Sequence, residues 1–115
     1  MFATLKSMSE VLPVINEVYK LYKLVVDLNE KLPKTQRYSL GQSLENSVLQ
    51  IMELLIMAKN APKSFKAPYL IKALAQQEVA TLKLRLYLEL KLANETRVFQ
   101  AQSVLRDIGR MARIS

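Results

Sequence analysis

Apolar residues in the first part of the chain fall at Val14, Val18, Leu21, Val25, Leu28 and Leu32, in alternating steps of four and three. That spacing returns to one side of a helix on every turn, so it predicts a helix over 13–32 with a seam to bury, widened by Ile15 and Tyr22. Pro13 fits its first turn, where no intrahelical donor is required. Gly41, Leu44, Val48, Ile51, Leu55 and Ala58 repeat the pattern and predict a second helix over 36–60, broken at Asn60-Ala61-Pro62. Val98, Ala101, Leu105, Ile108 and Ala112 predict a last helix over 95–112, with Asn94 as its cap and Phe99, Val104 and Met111 beside the seam.

Between the first two helices runs Leu32-Pro33-Lys34-Thr35-Gln36-Arg37-Tyr38-Ser39-Leu40-Gly41-Gln42. Pro33 disfavours helical geometry in the residue before it, so the first helix should end near Lys31 or Leu32. Ser39 and Gln42 have the spacing of a capping box, and Thr35 could cap an earlier start. Gly41 falls on the buried seam, where a helical glycine costs about 1 kcal/mol relative to alanine. A neighbouring backbone or bulky side chain is therefore expected to approach it.

The third stretch, 67–92, contains six leucines, Leu82, Leu84, Leu86, Leu88, Leu90 and Leu92, alternating with Lys83, Arg85, Tyr87, Glu89 and Lys91. Alternation is the signature of a strand, yet these are helix-forming residue types, none is β-branched, and no second strand exists to pair with. As a helix, it places Leu82, Leu86 and Leu90 on one face and Leu84, Leu88 and Leu92 about 160° away. One bundle core covers only one of these faces. The other needs a neighbouring helix or, the reading favoured here, another subunit. The fold expected is all-α: an up-down-up-down antiparallel four-helix bundle in a single domain over 1–115.

Composition narrows the chemistry. The 115 residues are half hydrophobic, with two Gly and four Pro, which describes an ordered chain with a core. The absence of Cys and His removes disulfides, thiolate nucleophiles, most zinc sites and the commonest general base. Asp27 and Glu30 share a helix face, but the Glu-x-x-His motif of bundle di-metal sites cannot be built without His. The chain is accordingly read as non-enzymatic, with no cofactor and no metal. No apolar run has the length of a signal peptide or a membrane span, so the expected location is cytoplasmic, without a membrane partner.

Seventeen Lys and Arg against ten Asp and Glu leave a net charge of +7, which favours a polyanionic partner such as RNA or DNA. In the predicted topology Lys31, Lys34, Arg37, Lys91 and Arg97 gather at one end, and Lys59, Lys63, Lys66, Arg110 and Arg113 at the other. No acidic residue lies between Glu53 and Glu78. Lys59 and Arg110 could equally serve the helix dipoles near two C-termini. Tyr38, Tyr69 and Tyr87 could stack on bases, but are read as packing residues with their hydroxyls in water. The candidate nucleic-acid or partner surface is Lys59, Lys63, Lys66, Lys83, Arg85, Arg110 and Arg113.

The string from Leu32 to Asn46 resembles the signature of a family of small bacterial four-helix-bundle proteins. That family joins the accessory variability determinants of diversity-generating retroelements with proteins encoded in intervening sequences of ribosomal RNA genes. Ala61-Pro62-Lys63, Pro68-Tyr69-Leu70 and Ile108-Gly109-Arg110-Met111 look like the same family. The resemblance implies a homopentameric barrel whose basic surface binds a reverse transcriptase and nucleic acid, template RNA or cDNA, during mutagenic retrohoming. It also implies an alternative, a ribosomal intervening-sequence type of protein acting as a protein-interaction scaffold. Thr81 stands where that family tends to carry an arginine, Arg85 matches a second such position, and the chain stops at Ser115 without the aromatic tail of many relatives.

Overall fold

The computed structural model describes residues 2–114, with side chains described from Pro13 onward. Four long helices carry the fold: the first is Phe2–Glu30, the second Gln42–Asn60, the third Lys66–Glu89 and the fourth Glu95–Ile114. The second is entered through Lys34–Gln36 and a π turn over Arg37–Gly41, and the third through a 3-10 turn over Lys63–Phe65. Short connections reverse the chain each time. The first and third helices each pack against both the second and the fourth, closing a four-helix bundle of 46 × 21 × 20 Å. No strand occurs among the described residues.

Every seam residue that periodicity assigns to the first, second and fourth helices is buried, from Val14 through Gly41 to Ala112. The third helix turns Ala73, Gln77, Ala80, Leu84 and Tyr87 inward. Its leucines divide as their angular spacing requires. Leu84 is fully buried and Leu88 and Leu92 pack against the core, whereas Leu82, Leu86 and Leu90 are 59%, 41% and 58% exposed.

Helix ends depart from expectation in three places. The first helix starts at Phe2 and passes through Pro13, because the fixed φ of proline is helical even though one backbone bond is lost. The second helical run begins directly after Pro33 without a side-chain cap. No capping box forms: Ser39 Oγ donates to the Thr35 carbonyl at 2.8 Å, back along its own helix. The third helix stops at Glu89 rather than at residue 92. There Lys91 takes a left-handed φ of 54°, and the Leu92 amide donates to the Tyr87 carbonyl at 2.9 Å, closing the end and folding Leu92 onto the core.

Two buried carboxamides tie the helices together. Asn29 donates Nδ2 to the Gly41 carbonyl and to Glu45 Oε2, both at 2.8 Å, and accepts from the Tyr87 hydroxyl. Three helices meet in that cluster. Gln77 donates Nε2 to the Leu105 carbonyl at 3.2 Å, joining the third helix to the fourth. Tyr87 is thus a packing residue, but its hydroxyl lies inside the bundle and not in water. Burial, aided by the Glu45 charge, holds its phenol well above the ordinary range.

Candidate nucleic-acid interface

Antiparallel packing brings the C-terminal ends of the second and fourth helices beside the start of the third. Lys59, Lys63, Lys66, Arg110 and Arg113 therefore share one end of the bundle. Lys63 and Arg113 are exposed and Lys59 and Lys66 half-buried, while exposed Arg110 contacts Asp107 Oδ1 at 3.1 Å on its own helix. Lys59 and Arg113 sit in last turns, where a cation is favoured by the backbone dipole. The exposed Lys72 continues the basic surface nearly two turns along the third helix from Lys66.

A groove of about 580 Å³ opens at this end between the second and third helices. Phe65, Tyr69, Met57 and Lys72 are among the side chains that line it. Phe65 is 61% exposed, held out by the 3-10 turn that Pro62 initiates, and Tyr69 follows one helical turn later. A surface with aromatic faces set among lysines has the composition of a single-stranded nucleic-acid groove, in which bases stack and ammonium groups meet phosphates. The alternation Lys63-Ser64-Phe65-Lys66 was the available sequence signal for Phe65. Periodicity alone passes over it, because Phe65 precedes the helix and lies on no seam.

Lys83 and Arg85 stand apart from that cluster. From Lys66 to Lys83 the third helix rises about 25 Å. Lys83 donates its ammonium to the Ser43 carbonyl at 3.1 Å and to Ser47 Oγ at 2.7 Å, strapping the third helix to the second. Partial burial pulls its pKa below the ordinary lysine value. Arg85 is exposed and bonds Glu89 Oε1 at 3.0 Å. Five of the seven candidate cations are thus brought together, and these two are not.

At the opposite end Arg37 and Arg97 are engaged within the fold, while Lys31, Lys34 and Lys91 are exposed. Arg37 Nη2 donates to the carbonyls of Glu30 and Leu32 at 3.0 and 3.3 Å, satisfying acceptors left by the end of the first helix. Arg97 pairs with Asp27 across to the first helix. Tyr38 is exposed on the π turn beside them. Among the described residues, no helix is long and apolar enough to cross a membrane. No family model matches the chain, and no curated protein matches its sequence.

Proposed function

We propose that this chain is a non-enzymatic, self-associating accessory subunit that binds single-stranded RNA or cDNA through its basic end. The observation that carries the reading is the coincidence of Lys63, Lys66 and Lys72 with the exposed Phe65 and the Tyr69 groove wall. Charge attracts the phosphates, and the aromatic faces distinguish unpaired bases from a closed duplex. A reverse transcriptase as the protein partner, in a diversity-generating retroelement, is supported by the resemblance of residues 32–46 and the shorter matching stretches alone. On that reading the subunit delivers or holds the RNA template and cDNA while the polymerase acts.

The test is fluorescence anisotropy of a labelled single-stranded RNA titrated with the full chain across a salt series. Affinity is expected to fall linearly in the log–log plot, with a slope of about −0.7 per phosphate neutralised. Lys63→Glu with Lys66→Glu should flatten that slope, and Phe65→Ala should weaken single-strand binding about tenfold while leaving duplex binding unchanged. Salt-independent affinity, or full binding by the doubly reversed variant, overturns the assignment. Co-purification with a reverse transcriptase encoded beside the gene tests the partner separately.

The scaffold alternative draws on a different observation, the exposed Leu82, Leu86 and Leu90 face, which offers an apolar surface for a helical partner. It predicts no nucleic-acid affinity at any salt concentration.

A further inference from the structure

We propose that the trough between the second and third helices reads bases: a single strand held at the basic end runs on along it, and adenine is favoured there over uracil. The inference rests on the single-strand binding of the proposed function and gives it a sequence preference.

Three cavities lie end to end in that trough. The groove at Phe65 and Tyr69 shares Met57 and Lys72 with a middle cavity of about 380 Å³, which in turn shares Gln50, Glu53 and Gln76 with a far one of about 760 Å³ that reaches Lys83. The walls follow from sequence spacing. Gln42, Asn46, Gln50, Glu53 and Met57 recur in steps of four and three on the second helix, and Lys72, Gln76, Val79 and Lys83 do so on the third, so each set forms one ridge. From Tyr69 to Lys83 the trough runs about 21 Å along the third helix. At the spacing of stacked bases that is about six nucleotides, within the range of single-strand sites.

The lining changes character along that length. Aromatic rings and lysines occupy the basic end, carboxamides and the Glu53 carboxylate dominate the middle, and Lys83 stands at the far end. Lys83 gives two of its three N–H donors to Ser43 and Ser47, which leaves one for a phosphate further along the strand. Gln50, Glu53 and Gln76 line both inner cavities, and among the described residues their side chains make no hydrogen bond or ion pair.

Glu53 decides which side of a strand faces inward. Its carboxylate repels phosphate and only accepts hydrogen bonds, so it meets a base edge that carries an amino group. A carboxamide pairs with adenine twice, accepting from N6 and donating to N7. Uracil presents a carbonyl oxygen in place of that amino group and is repelled by Glu53. Gln50 and Gln76, from facing helices, bracket the same level of the trough, so an adenine seated there satisfies a carboxamide and the carboxylate together.

Fluorescence anisotropy of the full chain at fixed salt, with labelled oligoadenylate and oligouridylate of about eight nucleotides, tests this. The parent chain should bind oligoadenylate about tenfold more tightly. Gln50→Ala with Gln76→Ala should reduce that ratio to about twofold with oligouridylate affinity unchanged, and alanine at both positions is the stronger helix former, so the fold is kept. Glu53→Gln, which supplies a donor for the uracil carbonyl, should raise oligouridylate affinity more than oligoadenylate affinity. Phe65→Ala should weaken both RNAs alike. Equal affinity of the parent chain for the two RNAs, or a preference that the double variant keeps, overturns base reading in the trough and leaves single-strand binding at the basic end standing. No affinity for either RNA overturns both.

Discussion

The side-chain amide of Gln77 fills the space that a β-carbon on Gly109 would need, with Nε2 only 2.8 Å from that point. Gly109 is buried on the fourth helix, and the Gln77 amide bonds the Leu105 carbonyl one turn earlier. The glycine therefore admits a polar side chain from the third helix into an otherwise apolar interface. Asn29 and Gly41 repeat the arrangement between the first two helices, where an added β-carbon would lie 3.1 Å from Asn29 Cγ. These are the chain's two glycines, and each faces a buried carboxamide.

Gly109→Ala should destabilise the fold by about 1–3 kcal/mol, because the displaced amide loses its carbonyl partner inside the core. Alanine is the better helix former by about 1 kcal/mol, so the cost must come from Gln77. In a Gln77→Ala background the same substitution should therefore be neutral or stabilising. Urea denaturation of the four chains in the cycle measures that coupling, and equal effects in both backgrounds would remove Gln77 as the cause.

Tyr87→Phe should cost about 1–3 kcal/mol by leaving the Asn29 carbonyl oxygen without its hydroxyl donor. It should also change the alkaline limb of the stability profile. The folded phenol is held above its ordinary value of 10.0, so the native state keeps the proton longer than the unfolded chain does. The stabilisation is complete below pH 10.0 and is lost as pH rises above it. Lys83 acts in the opposite sense, because its lowered pKa makes stability rise with pH until the unfolded lysine also loses its proton at 10.5. Thermal melts between pH 8 and 11 should show the loss above pH 10 in the parent chain and its absence in Tyr87→Phe.

The first, second and fourth helices were legible in the sequence because one stripe of each is apolar and the opposite side is not. The close approach at Gly41 was legible too, since a glycine on a seam implies contact, although nothing local named Asn29 as the neighbour. The third helix was ambiguous for a physical reason: with Leu on two flanks, local pattern carries no sign of which flank is inside. The choice is made by the small residues Ala73 and Ala80 and by the polar Gln77 and Tyr87, whose partners lie on other helices. At the candidate site, the clustering of Lys63, Lys66 and Arg113 followed from topology. The inward turn of Lys83 did not, because it depends on Ser43 and Ser47 of another helix.

The two leucine flanks should behave very differently under truncation. Leu84→Ala removes a fully buried side chain and should cost about 2–5 kcal/mol. Leu82→Ala, only two residues away but 59% exposed, should change monomer stability by no more than about 0.5 kcal/mol. Chemical denaturation at low protein concentration separates the two, and a large loss for Leu82→Ala would place that face inside the core.

Lys91 offers a stabilising substitution at the end of the third helix. Its φ of 54° is left-handed, a region that costs a residue with a β-carbon about 1 kcal/mol and costs glycine almost nothing. The geometry is imposed by the Leu92 amide reaching the Tyr87 carbonyl and the Lys91 amide reaching the Leu88 carbonyl at 3.2 Å, which together end the helix and tuck Leu92 inward. The lysine side chain is exposed, so little packing is lost when it is removed. Lys91→Gly should therefore gain up to about 1 kcal/mol, less the extra backbone entropy of glycine in the unfolded chain. Lys91→Val should lose stability, because a β-branched side chain tolerates that φ least. Thermal melts of the three chains should order as glycine, parent, valine, and a glycine variant less stable than the valine one would mean that the left-handed turn does not close this helix.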